Sequence, residues 1–296
     1  MKRLLSSAVF ALFACAGCGD DSGSSDVSVS IPFAAAVGSQ AAACGTNYGL
    51  AGYTLQLADA RFFASNVQFK NTDGEWVTLS LDQNASQYQN VALLDFEDGT
   101  GACADSGTTE TNTTITGVLP AGNYSGLRFD VGVPFELNHI DTASANSPLN
   151  ISTMYWSWRG GYKHLKVDWA VEEGAVPRWN VHLGSTGCVS DSPTTPPSET
   201  CSRPNIAHVE ISDFNANSDT VLVNLVALIN NVDLGSNVVT IPDGCADASC
   251  EEPSPPGCQS SPTESADCSP VFDSLGMQFS DGLCVDDCAA QTVFSK

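Results

Sequence analysis

Short runs of alternating polar and apolar residues recur along almost the whole chain, and they decide what it can fold into. They include Thr54 to Ala58, Val67 to Phe69, Trp76 to Leu81, Val91 to Phe96, Thr114 to Leu119 and Tyr124 to Val133. Later come His164 to Val171, Arg178 to Leu183, Ala207 to Ile211, Thr220 to Leu228 and Val238 to Ile241. A period of two over such lengths is the signature of strands half-buried on one face. Turn-forming clusters such as Asn71-Thr72-Asp73-Gly74 and Leu119-Pro120-Ala121-Gly122 punctuate the gaps. No long stretch carries helical periodicity, so the expected fold is all-β, an antiparallel sandwich or a barrel-like closure.

Ahead of these runs, Met1-Lys2-Arg3 and the apolar stretch Leu4 to Ala14 read as an export signal, too short to span a bilayer. Both Cys15 and Cys18 sit in surroundings similar to a bacterial lipobox. Cys18 is the better lipidation site, because it follows small residues and precedes the polar run Gly19 to Asp26. A plain secretory leader is the alternative. The expected division is a signal peptide over 1–17, a flexible tether over 18–30 and one β domain over 31–296. A cysteine-rich tail, 243–296, is expected to lie as a lap on that domain. The setting is then a bacterial cell envelope, on the periplasmic side or the cell surface, with the membrane touched only through a lipid anchor. Eleven Lys and Arg against 34 Asp and Glu leave a net charge of −23, which argues against nucleic acid as a partner.

Setting aside Cys15 and Cys18 leaves an even set: Cys44, Cys103, Cys188, Cys201, Cys245, Cys250, Cys258, Cys268, Cys284 and Cys288. Widely spaced cysteines in an exported chain read as disulfides. The mature chain has no CxxC knuckle for a thiolate metal site and no CxxCH for covalent haem. Ser190 to Pro204, rich in Ser, Thr and Pro, lies largely between Cys188 and Cys201 and reads as a cross-linked loop.

Signatures of nucleophilic, zinc-dependent and nucleotide chemistry are absent: there is no G-x-S-x-G, H-E-x-x-H, P-loop or G-x-G-x-x-G. Asp213 to Asp219 alternates oxygens like a calcium loop but lacks the required glycine and glutamate, so it reads as a turn. Of four histidines, His164 and His208 alternate with charged residues and are expected at the surface. His182 lies on the less apolar side of its strand, and His139 sits in a loop. The segment Met154 to Lys163, with Trp156 and Trp158, is the most unusual in the chain. If extended, it puts Met154, Trp156 and Trp158 on one face, for core packing or as a platform for sugars.

The chain also carries an ordered series of blocks. Phe33 to Val37 leads to Cys44-Gly45-Thr46-Asn47-Tyr48, followed by Asp59 to Val67 and by Ala92 to Gly101 with Cys103. Then come Gly132-Val133-Pro134-Phe135 with Asn138-His139, and Ser147-Pro148-Leu149-Asn150. Trp156-Ser157-Trp158 runs on to Gly161-Tyr162-Lys163, and the series ends in His182-Leu183-Gly184-Ser185-Thr186-Gly187-Cys188. This series resembles the copper-binding MbnP-like proteins, the four-cysteine-motif members of a "metallo-mystery pair". The resemblance implies one copper ion held by histidines and by a kynurenine made from a tryptophan. It also implies a partner, a di-haem enzyme of the cytochrome c peroxidase and MauG type, that performs the oxidation, so that this chain is not itself the enzyme. The matching metal-site positions are His139 and His182, with Trp156 or Trp158 as the modified residue. His164 falls where relatives are expected to carry an aromatic residue, so the resemblance does not make it a ligand. Cys44, Cys103, Cys188 and Cys201 match the family cysteines, and Cys258 and Cys268 also look familial. The pairs implied are Cys44 with Cys103, Cys188 with Cys201, and Cys258 with Cys268, and the Cys188 bridge would fix the end of the strand bearing His182. The competing readings are a surface lipoprotein that binds glycan or protein through its tryptophans, and a copper oxidase.

Overall fold

The computed structural model describes residues 26–105, 107–172, 178–234, 257–260 and 268–296. The export signal, Cys18 and its lipidation, Cys245, Cys250 and the expected strand Val238 to Ile241 lie outside these residues. The strands that matter below are β1 (Val27–Val37), β2 (Tyr53–Asn71), β3 (Val91–Asp95), β4 (Thr114–Leu119) and β5 (Tyr124–Val131). They continue with β6 (Tyr155–Ser157), β7 (Gly161–Glu172), β8 (Arg178–Gly184), β9 (Ala207–Ser212) and β10 (Val221–Asn224).

Two sheets face each other. The smaller runs Phe294–Ser295, β10, β1, β4, Ser80–Leu81, and the larger runs β9, β5, β2, β7, β8, Gly257–Cys258, with shorter strands attached at its sides. The sandwich is therefore all-β, as the alternation predicts. Two pairings depart from a purely antiparallel scheme: β1 with β10, and β8 with Gly257–Cys258, are parallel. β1 also begins inside the segment expected to be a tether. Val27, Ser28, Val29 and Ser30 pair with β4 from Leu119 to Thr116, which gives their alternation a ladder to join.

Between the sheets, Phe33 lies edge-on to Phe62 at 6.0 Å and to Phe129 at 5.8 Å, and Phe129 lies edge-on to Phe294 at 5.5 Å. Each such pair adds roughly 0.5–1.5 kcal/mol beyond the area it buries. Val271, Phe272, Leu275 and Met277 from the cysteine-rich tail join this same core. The short helix Cys268–Ser274 is held by the bridge Cys258–Cys268, and the end of the tail by Cys284–Cys288. Cys44–Cys103 and Cys188–Cys201 complete the bridges among the described residues.

The central strand β2 accounts for the difference between the pattern and the structure. Its two amphipathic ends read as separate strands, but the intervening Asp59 to Ser65 is buried throughout, so one strand of 19 residues results. Its inner face puts Phe62 and Ala64 into the sandwich core. Its outer face puts Phe63 into a second cluster with Leu93, Val133, Leu149, Met154 and Tyr162. The chain from Val133 to Ser157 thus folds back over the outside of the larger sheet, and a face that would otherwise meet water becomes interior.

Candidate metal centre

The covered outer face holds two groups of polar side chains. One is ionic. Cross-strand register sets Lys166 opposite Arg61 and Asp168 opposite Asp59 on β7 and β2, and sets His182 of β8 opposite Lys166. Asp59 accepts from both Arg61 and Lys166. Lys166 lies 3.2 Å from Asp168, and Arg61 lies 3.7 Å from Glu97. His182 closes this row: its Nε2 is 2.8 Å from Asp168 Oδ1 and its Nδ1 is 2.8 Å from Gln259 Oε1. Both ring nitrogens of His182, a ligand position implied by the resemblance, are therefore engaged by oxygen acceptors.

The second group gathers around His139. The helical turn Phe135–Asn138 is tied down by buried Asn138, whose Oδ1 accepts from the Tyr162 N–H at 2.8 Å and whose Nδ2 donates to Ser185 Oγ at 3.2 Å. That anchor delivers His139 to the end of β7 and β8. Its Nδ1 is 3.0 Å from the carbonyl oxygen of Trp158, which can only accept, so Nδ1 carries the proton and the Nε2 lone pair faces inward. Around Nε2 stand Asn138 Nδ2 at 3.3 Å and Cys201 Sγ at 3.6 Å. The donor atoms of His139, Cys188 and Cys201 all lie within 4.8 Å of one another. The two sulfurs are bridged, so they are not thiolate ligands in this state.

His164 is the residue that sequence pattern misplaces. Its alternation with Lys166 and Asp168 predicts exposure, yet it is fully buried, because the face it shares with them is covered. Lys163 pairs with Gly184 and Leu165 with Leu183, so two steps on β7 oppose one on β8 and His164 is the extra residue of a bulge. Its Nδ1 donates to the Asn205 carbonyl oxygen at 3.2 Å, and its Nε2 has no hydrogen-bond partner among the described residues. Gly132 makes room for the ring: a Cβ there would lie 3.1 Å from His164 Nδ1. Burial pushes the imidazole down to about 4, and the neighbouring His139 adds to the effect. Burial also lowers His139, against the pull of the Trp158 carbonyl. The site thus presents two neighbouring neutral imidazoles. Each has Nδ1 fixed by a backbone carbonyl, the orientation common among metal-ligating histidines.

The remaining walls follow from the tryptophan hairpin and the cross-linked loop. Trp156 is half-buried, with its six-membered ring over Gly184, and Trp158 is 36 % exposed. The two indoles thus differ in exposure, Trp158 being the more open. Arg159 donates its N–H to the Pro193 carbonyl at 3.1 Å, which places the loop over this turn. Beyond Cys201, Asn205 Nδ2 donates to the Gly184 carbonyl at 2.7 Å while its own carbonyl holds His164. The bridge Cys188–Cys201 therefore fixes the segment that orients His164. Closing a loop of this size contributes roughly 3 kcal/mol. Of the other histidines, His208 is exposed and hydrogen-bonds Asp287, as a surface residue.

Two expected results arise from this geometry. At Gly184 a Cβ would lie 2.4 Å from the Trp156 ring and 2.8 Å from the Tyr162 carbonyl oxygen. Gly184→Ala should therefore displace Trp156 and lower stability by about 1–3 kcal/mol, read by urea denaturation. The second concerns pH. Burial raises Asp95 to about 7, against the attraction of Arg61. From about pH 4 to 7 the unfolded chain has lost that proton while the folded chain keeps it, so this group lowers stability as pH rises. His164 acts oppositely: between about pH 4 and 6.5 the unfolded chain binds a proton that the folded chain refuses, so stability rises with pH. Asp95→Asn removes the first contribution alone. Between pH 5 and 7 its stability should rise about 2 kcal/mol more than that of the wild type. Parallel slopes in urea denaturation would contradict the assignment.

A disulfide-stapled β-sandwich with a buried histidine and cysteine group at the end of its larger sheet is the class of protein that the fold and site define. The chain belongs to the MbnP family, whose model matches residues 26–249. Among solved structures it is similar to MbnP from Methylosinus trichosporium, at 27% identity and a TM-score of 0.73, over 92% of this chain and 98% of that one. No protein of curated function matches it.

Proposed function

We propose that this protein is an exported copper-binding protein that holds one copper ion between Nε2 of His139 and Nε2 of His164. The third donor is a kynurenine made from Trp156 or Trp158. The observation that carries the reading is the buried, unpartnered Nε2 of His164 beside a second neutral imidazole. A buried acceptor left unpaired costs about 1–3 kcal/mol, and a metal ion would satisfy it. Neutral imidazoles suit copper, which makes the donor set chemically apt. An indole nitrogen has no lone pair to offer a metal, whereas opening the ring to kynurenine creates an aromatic amine that does. Trp156 is the preferred residue, because its ring is seated over Gly184 at the same end of the sheet.

On this reading the chain is the substrate of a di-haem partner enzyme and then a copper carrier, not a catalyst. It is anchored in the cell envelope through Cys18 and serves copper acquisition or homeostasis. The test is co-expression with the di-haem partner, mass mapping of the peptide spanning Met154 to Lys163, and measurement of copper per chain. The expected result is kynurenine at Trp156 and one copper per modified chain. Trp156→Phe should abolish both. Equal copper uptake by chains with intact tryptophans would overturn the reading.

A further inference from the structure

The bridge beside His139 stands where thiolates would complete a soft-metal site. Nε2 of His139 and the sulfurs of Cys188 and Cys201 converge within 4.8 Å, and the shortest of these approaches is not to a free thiol but to a sulfur of the bridge. Cys201 is buried, but Cys188 is half-buried and adjoins Val189, which is 84 % exposed, so an attacking thiolate reaches the bridge from the Cys188 side. The two arms are also held together without the bridge. Thr186 and Arg203 exchange backbone hydrogen bonds of 2.9 and 3.1 Å, Ser202 donates its N–H to the Gly187 carbonyl at 3.3 Å, and Asn205 is bound to Gly184. Opening the S–S bond therefore leaves both cysteines facing His139.

We propose that Cys188–Cys201 is a redox-gated metal site that, once reduced by a dithiol, binds a thiophilic cation of the Cu(I), Zn(II) and Cd(II) class through two thiolates and His139. In the reduction the S–S bond takes two electrons and two protons from the dithiol, which closes to its own disulfide. The cation then displaces the two thiol protons. Thiolate sulfur selects soft and borderline cations, and the neutral imidazole adds a compatible nitrogen. This site shares His139 with the copper centre proposed above but needs neither the kynurenine nor the partner enzyme.

The test uses the full chain, made without the di-haem partner and treated with limiting dithiol. Differential alkylation and mass spectrometry identify the bridges that open, and Cd(II) is titrated through its thiolate charge-transfer absorption. Cys188 and Cys201 should be among the first labelled, with the cadmium band present in the reduced protein and absent from the bridged one. Cys188→Ser with Cys201→Ser should remove the band, and Cys284→Ser with Cys288→Ser should keep it. If the first pair fails to fold, His139→Ala decides: it keeps both cysteines and should weaken Cd(II) binding about tenfold or more. A band indifferent to His139→Ala, or one that follows a different bridge, overturns the proposal. Copper uptake by the bridged, kynurenine-containing protein is measured separately, so failure here leaves that reading standing.

Discussion

His164→Ala should lower the copper affinity of the kynurenine-containing protein by about a hundredfold or more, while the chain still folds. The substitution removes a neutral imidazole whose Nδ1 is committed to the Asn205 carbonyl and whose buried Nε2 has no partner among the described residues. His139→Ala should do the same, because its Nδ1 is likewise held by a backbone carbonyl and its Nε2 lone pair, now facing Asn138 Nδ2 at 3.3 Å, is the second imidazole donor. His182→Ala offers the contrast. Its ring nitrogens bond Asp168 and Gln259, so its loss should lower stability and leave copper affinity nearly unchanged. Competition titration against a chelator of known copper affinity reads all three variants. Undiminished affinity in His164→Ala would remove that residue from the ligand set.

The second large effect is on stability alone. Asp59→Asn should destabilise the fold by about 3–5 kcal/mol, because one carboxylate accepts from both Arg61 and Lys166 and all three side chains are buried. A neutral amide keeps the shape but leaves two buried cations with less compensation. Lys166 still has Asp168 at 3.2 Å and Arg61 has Glu97 at 3.7 Å, which sets the lower end of the range. Chemical denaturation at neutral pH measures it. A change under about 1 kcal/mol would mean that those second partners take over.

Period two made the strands legible because each sheet buries one face in the sandwich, as Leu127, Phe129 and Val131 of β5 do. It failed where the other face was buried as well. Lys166, Asp168 and His164 look like a wet face in sequence, since nothing local announces that Asp59 and His182 meet the first two or that Gly132, His139 and Asn205 close around the third. The bulge at His164 was equally invisible, because a bulge is defined by the register of β8 against β7 and not by residue type. Gly132 was the available signal: a glycine directly after a strand marks a close approach, here that of the His164 ring. His139 was reachable as a ligand through the resemblance alone, for spacing does not distinguish a loop histidine from a ligand, whereas the segment with Trp156 and Trp158 stood out by its composition. The bridge Cys188–Cys201 could be read from the composition of the loop it closes. Its contact with His139 could not, since 62 residues separate Cys201 from that ring.

The assignment of His139 and His164 as the imidazole ligands is tested directly by a crystal of the kynurenine-containing protein loaded with copper. Anomalous scattering at the copper edge should show one peak per chain within bonding distance of Nε2 of both His139 and His164, with His182 still hydrogen-bonded to Asp168. A copper peak on His182, with His164 Nε2 left bare, would contradict it.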